Sequence, residues 1–264
     1  MRCHYLSDLH LERQSFDARL PKGDLLIIAG DLCNARCFDA PRHDRYHTEQ
    51  RERVLRFIEH AQKRFANVLM VAGNHEHYNL VMEDTIALMR RSLPGVIICD
   101  DECVEIGGFR FFGTTFWTNF NGGDQASMDR VRRKRGEYFF IKTRAAGAVA
   151  KFQPEDALEA HRNGWSALRK TGATGPPDVI VTHHAPSLQG LCRRRRSTEL
   201  DCTDASDLDH ELEALSCVRF LVHGHTHIAR TYNIGAIKVC SNAFGLPERG
   251  MGPAGFSVDA CFEL

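Results

Sequence analysis

The chain has no surplus of charge of either sign: 34 Lys and Arg face 34 Asp and Glu over 264 residues. Nonspecific nucleic-acid affinity rests on a basic excess that releases counterions, so no strong case for a nucleic-acid partner arises. Long apolar runs are missing as well. None approaches the ~20 residues of a membrane span. Polar Ser7, Asp8 and His10 follow Met1 too closely for the apolar region of a secretory signal. A cytoplasmic protein with no membrane partner is therefore expected. The ten cysteines contain no Cys-x-x-Cys, only the isolated Cys33/Cys37 and Cys99/Cys103 pairs. The chain is also well beyond the ~100 residues at which disulfide frameworks are usual. Reduced, mostly structural thiols are expected, and the spacings do not suit a zinc knuckle. Internal repeats, low-complexity tracts and a convincing Pro/Gly/Ser linker are also missing, which points to one domain over 1–264.

What is present is a core. Hydrophobic residues make up 43% of the chain, too many for a disordered state. Five apolar runs each stop at a polar cluster. CHYL leads into Ser7-Asp8-Leu9-His10, LLIIA into Gly30-Asp31, and NVLMVA into Gly73-Asn74-His75-Glu76. DVIV leads into Thr182-His183-His184, and VRFLV into His223-Gly224-His225-Thr226-His227. Continuous apolar runs of this length read as strands buried on both faces. Residues just past such strands line the crevice where α/β proteins place their sites.

Helical spacing lies between the runs. Residues 49–66 put Val54, Leu55, Ile58, Ala61 and Phe65 on one stripe, with Thr48 as the expected N-cap. Residues 82–92 and 154–171 read as two further helices, and TGATGPP at 171–177 as a loop. The stretch 103–117 alternates about Gly107-Gly108 and reads as a β-hairpin. TYNI, AIKVC and FSVDACFEL read as late strands. Two packed sheets with helices outside accommodate this order.

The polar clusters have the composition of a metal site. Asp8 and His10 are two residues apart, as are His225 and His227. On an extended chain, i and i+2 point the same way, so each pair is expected to converge. Asp31, Asn74 and His183 add a carboxylate, a carbonyl oxygen and an imidazole. These seven donors exceed what one tetrahedral ion needs and suit two ions sharing a carboxylate. Nitrogen and oxygen donors without thiolate favour manganese, iron or zinc, with magnesium also compatible. A lone His or Gly-Asp is ordinarily structural. Five such clusters at five strand ends are not explained that way.

DLH, GD, GNHE, THH and GHTH, in this order from Asp8 to His227, resemble the five-part signature of the calcineurin-like metallophosphoesterases. The resemblance implies a four-layer α/β/β/α sandwich of two mixed sheets flanked by helices, around a dinuclear metal centre. It implies that Asp8, His10 and His227 hold one ion, that Asn74, His183 and His225 hold the other, and that Asp31 bridges. His75 would be the catalytic imidazole. Between the adjacent His183 and His184, His183 comes straight off the strand and is the expected ligand, with His184 facing substrate. The implied chemistry is in-line attack on phosphorus by a hydroxide shared between the ions, with His75 protonating the leaving oxygen.

Substrate choice is less legible. The expected substrate is a small phosphoester, nucleotides among the candidates. Arg132–Arg135 and Arg193–Arg196 are basic runs. The second, with Arg193 and Arg194 foremost, is either a solvated loop or a clamp for a further phosphate. Phe116, Trp117 and Phe120 read as core, with base stacking as the alternative. Asn119 is a candidate substrate contact, and His223 reads as a structural or supporting residue. Rival functions are a nuclease or protein phosphatase of the same superfamily. A non-catalytic scaffold is a further rival, but it should have lost ligands that this chain retains.

Overall fold

The computed structural model describes residues 1–145, 147–191, 199–246 and 255–264. Two sheets carry the fold. The first runs β13 (Cys261–Glu263), β1 (Arg2–Leu6), β2 (Gly23–Ala29), β3 (Phe65–Val71), β4 (Ile97–Cys99), parallel except for β13. The second runs β11 (Arg230–Ile234), β12 (Ile237–Ser241), β10 (Phe220–His223), β9 (Val179–Thr182), β6 (Phe109–Thr114), β5 (Glu102–Ile106), with antiparallel strands at both edges. A small ribbon pairs β7 (Lys142–Ala145) with β8 (Ala148–Lys151).

Strand alternation builds the layers. In β2, Leu26 and Ile28 face α1 (Arg45–Arg64) and α2 (Met82–Ser92), while Leu25, Ile27 and Ala29 face the other sheet. In β9, Val179 and Val181 join that middle layer, and Ile180 faces outward. Leu168 of α4 (Pro154–Thr174) and Leu212 of α5 (Asp209–Glu213) cover this outer face. The result is the expected four-layer α/β/β/α sandwich. Each fully buried Leu, Ile or Val contributes roughly 1.5–3 kcal/mol of transfer free energy. A fourth apolar cluster packs Trp117, Phe120 and Phe152 against Met128 and Val131 of α3 (Gln125–Val131).

The structure corrects several local expectations. Helix α1 starts at Arg45, because the Asp44 side chain accepts the His47 N–H at 3.2 Å and caps it. Thr48 therefore lies inside the first turn. The buried stripe contains Phe57 rather than Leu55, which is 43% exposed, and Phe65 already belongs to β3. Helix α4 continues to Thr174 and stops where Gly175, at φ 149°, takes a conformation other residues avoid. Of FSVDACFEL, only Cys261–Glu263 pairs as strand. Among the described residues, nine cysteines are free thiols and six of them are buried. No helix among the described residues is long and apolar enough to cross a membrane.

Candidate metal centre

The loops after β1, β2, β3, β9 and β10 meet at the carboxyl edges of the two sheets. Three groups of ligand-type side chains converge there, the donor atoms of each within 4.8 Å of one another: Asp8, His10, Asp31 and His227; Asp31, His183 and His225; and His10, Glu12 and His75. Asp31 belongs to the first two. Its Oδ2 is 3.8 Å from His10 Nε2 and its Oδ1 is 3.4 Å from His183 Nε2. Asn74 Oδ1 lies 3.1 Å from both His183 Nε2 and His225 Nδ1, completing the second group.

The Asp8/His10 and His225/His227 pairs converge, but not through extended chain. Asp8, His10, Asp31, His225 and His227 all have positive φ, between 46° and 65°. Each ligand loop thus turns through the left-handed region, which costs non-glycine residues of order 1–3 kcal/mol apiece and is found where surrounding structure holds it. Part of the holding is visible. The Asp8 carboxylate accepts the His225 N–H at 3.1 Å, and Asp31 Oδ1 accepts the His75 N–H at 2.9 Å.

Four further residues organise the ligands, and the sequence reading missed them. Glu76 accepts N–H groups from Asp31 (2.9 Å), Leu32 (2.8 Å), Cys33 (3.0 Å) and Gly73 (2.6 Å), tying two ligand loops together. Glu12 Oε1 lies 3.0 Å from His10 Nδ1 and 2.8 Å from His75 Nδ1. Asn74 Nδ2 donates to Glu137 Oε1 (3.1 Å) and Tyr78 Oη (3.2 Å), which turns its carbonyl oxygen toward His183 and His225. Glu12 and Glu76 had a signal, since each extends a cluster already singled out (DLHLE, GNHE). Glu137 had none, because its link to Asn74 spans 63 residues and exists only in the folded chain; Tyr78 stands four residues after Asn74, and its contact depends on the local turn.

His183, not His184, reaches the donor group; its Nδ1 lies 2.8 Å from the Ala29 carbonyl oxygen, which fixes the ring. His184 is buried, with Nδ1 3.2 Å from the Thr115 carbonyl oxygen and its ring stacked on Trp117 at 5.1 Å. Burial, then neighbouring His225 and His183, hold its pKa well below the usual value, so this ring is neutral. It sits behind His225, 4.1 Å between ring centres. His223 lies within hydrogen-bond reach of the Gly224 carbonyl (3.0 Å) and Tyr232 Oη (3.1 Å), and burial pushes its pKa down to about 4. Phe116, Trp117 and Phe120 are core, each at most 3% exposed, so none offers a face to a base. Asn119 is not brought to the donors; it lines a separate cleft with Leu158, His161 and Trp165. Of the first basic run, Arg132 pairs with Glu155 at 2.6 Å, Lys134 with Glu199, and Arg135 with Asp204. Arg193 and Arg194 lie outside the described residues.

With the geometry in place, comparison with known proteins is decisive at the level of family. The sequence profile of the calcineurin-like phosphoesterases matches residues 1–229. The chain belongs to this family. Among solved structures, the phosphoesterase superposes on the phosphopantetheinyl hydrolase of Mycobacterium tuberculosis with a TM-score of 0.63. That match has 19% identity and covers 93% of this chain and 90% of that one, a likeness of fold. A protein of Acanthamoeba polyphaga mimivirus, L509, is 21% identical and spans 91% of this chain and 90% of its own.

The residues present could hold metal ions. His10 Nε2 faces His227 Nε2 at 3.0 Å, and His183 Nε2 faces His225 Nδ1 at 3.2 Å. Opposed imidazole nitrogens beside carboxylates, shielded from bulk water, form a donor set that a cation satisfies. Gly73 is part of the fit, since a Cβ there would collide with Asp31 Oδ1 and lie 2.7 Å from His183 Cε1. Gly73→Ala is expected to displace these donors and weaken metal affinity by about 10–100-fold, the range seen when ligand-orienting contacts are lost. Metal content after dialysis against limiting chelator measures it, and unchanged retention refutes the steric account.

Proposed function

We propose that this phosphoesterase holds two divalent ions (manganese, iron or zinc, with magnesium compatible) and hydrolyses small phosphomono- or phosphodiesters, nucleotides included, as one domain over 1–264. The single observation behind the reading is that Asp31 belongs to two donor groups at once, as a bridging carboxylate must. Asp8, His10 and His227 would complete one site, and Asn74, His183 and His225 the other. Bound there, the ions would supply a reactive water and neutralise phosphoryl oxygens.

The protein's own part falls to His75. Glu12 occupies its Nδ1, leaving Nε2 as the free nitrogen. The ring is partly open to solvent, as are His225 and His227, while Asp8, His10, Asp31, Asn74 and His183 are buried. Burial disfavours the His75 cation, but Asp31 and Glu12 outweigh it and lift its pKa to about 9. Two bound cations would pull that value back toward neutrality, the range in which a proton donor works best. His75 is thus placed to hydrogen-bond the phosphoryl group and protonate the leaving oxygen. Asn74 contributes a neutral oxygen, which spares the centre a further negative charge and preserves its attraction for phosphate.

Manganese-loaded protein should bind two ions per chain and hydrolyse bis-(p-nitrophenyl) phosphate or p-nitrophenyl phosphate. Chelation should abolish turnover, and added manganese should restore it. Two tightly held ions with no turnover of either ester would favour a non-catalytic scaffold.

A further inference from the structure

An aromatic strip leads outward from His75 to the surface. The Tyr78 ring stacks on the His75 ring at 4.4 Å between centroids, with 24° between planes. The Phe140 ring lies 5.5 Å beyond Tyr78 and is 49% exposed. Its neighbour Phe139 is as exposed, at 51%, but only the Phe140 ring contacts Tyr78 among the described ring pairs.

The strip is built in register with the metal donors. Phe140 belongs to the helical turn Glu137–Phe140, and Glu137 of that turn holds Asn74. The Asn79 N–H donates to the Phe140 carbonyl at 2.8 Å, and the Lys142 N–H to the Leu80 carbonyl at 3.0 Å, clamping the turn onto the segment that carries His75. Gly136 allows the approach, because a Cβ there would lie 2.9 Å from Tyr78 Oη. The distance from His75 to the Phe140 ring is therefore set by the same contacts that set Asn74.

We infer that Tyr78 and Phe140 form the platform for the substrate's leaving group, and that this group carries a planar or aromatic ring. The inference rests on the phosphoesterase reading, because it takes His75 as the group facing the leaving oxygen. A ring attached one or two bonds beyond that oxygen would lie against Tyr78 and Phe140, while the phosphoryl group faces the donors.

The test compares benzyl phosphate with ethyl phosphate, two alkyl esters that differ in the ring. Manganese-loaded wild type should favour benzyl phosphate, mainly through KM, by about tenfold, the scale of one aromatic stacking contact. Phe140→Ser, at a half-exposed position, should remove that preference and leave ethyl phosphate within about twofold. Phe140→Trp should restore it. Calorimetry with benzylphosphonate and ethylphosphonate reads the same preference without turnover. Absence of hydrolysis with benzylphosphonate still bound selectively would overturn the phosphoesterase reading and keep the platform. No preference between the two phosphonates, or equal losses for both esters in Phe140→Ser, would overturn the platform.

Discussion

Asp31→Asn is expected to remove at least one of the two ions proposed for the site and to lower kcat/KM by about 10³-fold or more, since metal stabilisation of the transition state is worth several kcal/mol. The substitution keeps the shape of the side chain and an oxygen able to accept the His75 N–H, now at 2.9 Å. It removes the only charge the two donor groups share. Two divalent ions bring four positive charges, and Asp8 with Asp31 offsets two of them. With Asp31 neutral, bound ions would repel one another more strongly. The ionised form is the native one: burial opposes it, but His183, His75 and His10 hold the Asp31 pKa well below the usual carboxylate range. Elemental analysis of the purified variant reads the metal count, and circular dichroism checks that the fold persists. Full occupancy by two ions with activity within tenfold of wild type would sink the shared-carboxylate account.

His75→Ala is expected to spare the metals and remove the proton donor. The loss should be about 10²–10⁴-fold for alkyl phosphoesters, the usual worth of a positioned general acid. It should be much smaller for p-nitrophenyl esters, whose leaving group departs without protonation. The two groups that share Asp31 do not contain the His75 side chain, which stands in a third with His10 and Glu12, and His10 keeps its own contact with Glu12. The two esters therefore separate proton donation from a general disturbance of the site. Equal losses on both, or full activity on an alkyl ester, would remove His75 from the role.

The clusters at the strand ends were legible because each apolar run is followed at once by its polar residues, and a parallel strand must deliver its next residues to the carboxyl edge of the sheet. Extended-chain spacing does not explain the paired ligands, however. Asp8/His10 and His225/His227 meet through left-handed backbone, which period-two reasoning does not anticipate. Helix α1 shows the same limit on a smaller scale. Periodicity located the helix, while a side-chain cap by Asp44 set its start. The base-stacking alternative for Trp117 failed because an aromatic residue after a hairpin reads alike whether it packs inward or outward.

Residue types and their order along the chain pointed to the family, the two-sheet architecture and a seven-residue donor set, because metal chemistry restricts which side chains serve and apolar runs restrict where they emerge. Tertiary structure alone decided that His184 packs behind His225 and against Trp117, and that Glu137 holds Asn74. It also decided that Phe140 stands beside Tyr78. These are contacts between segments tens of residues apart. Their distances follow from how sheets and turns pack against one another, and local spacing carries no record of that.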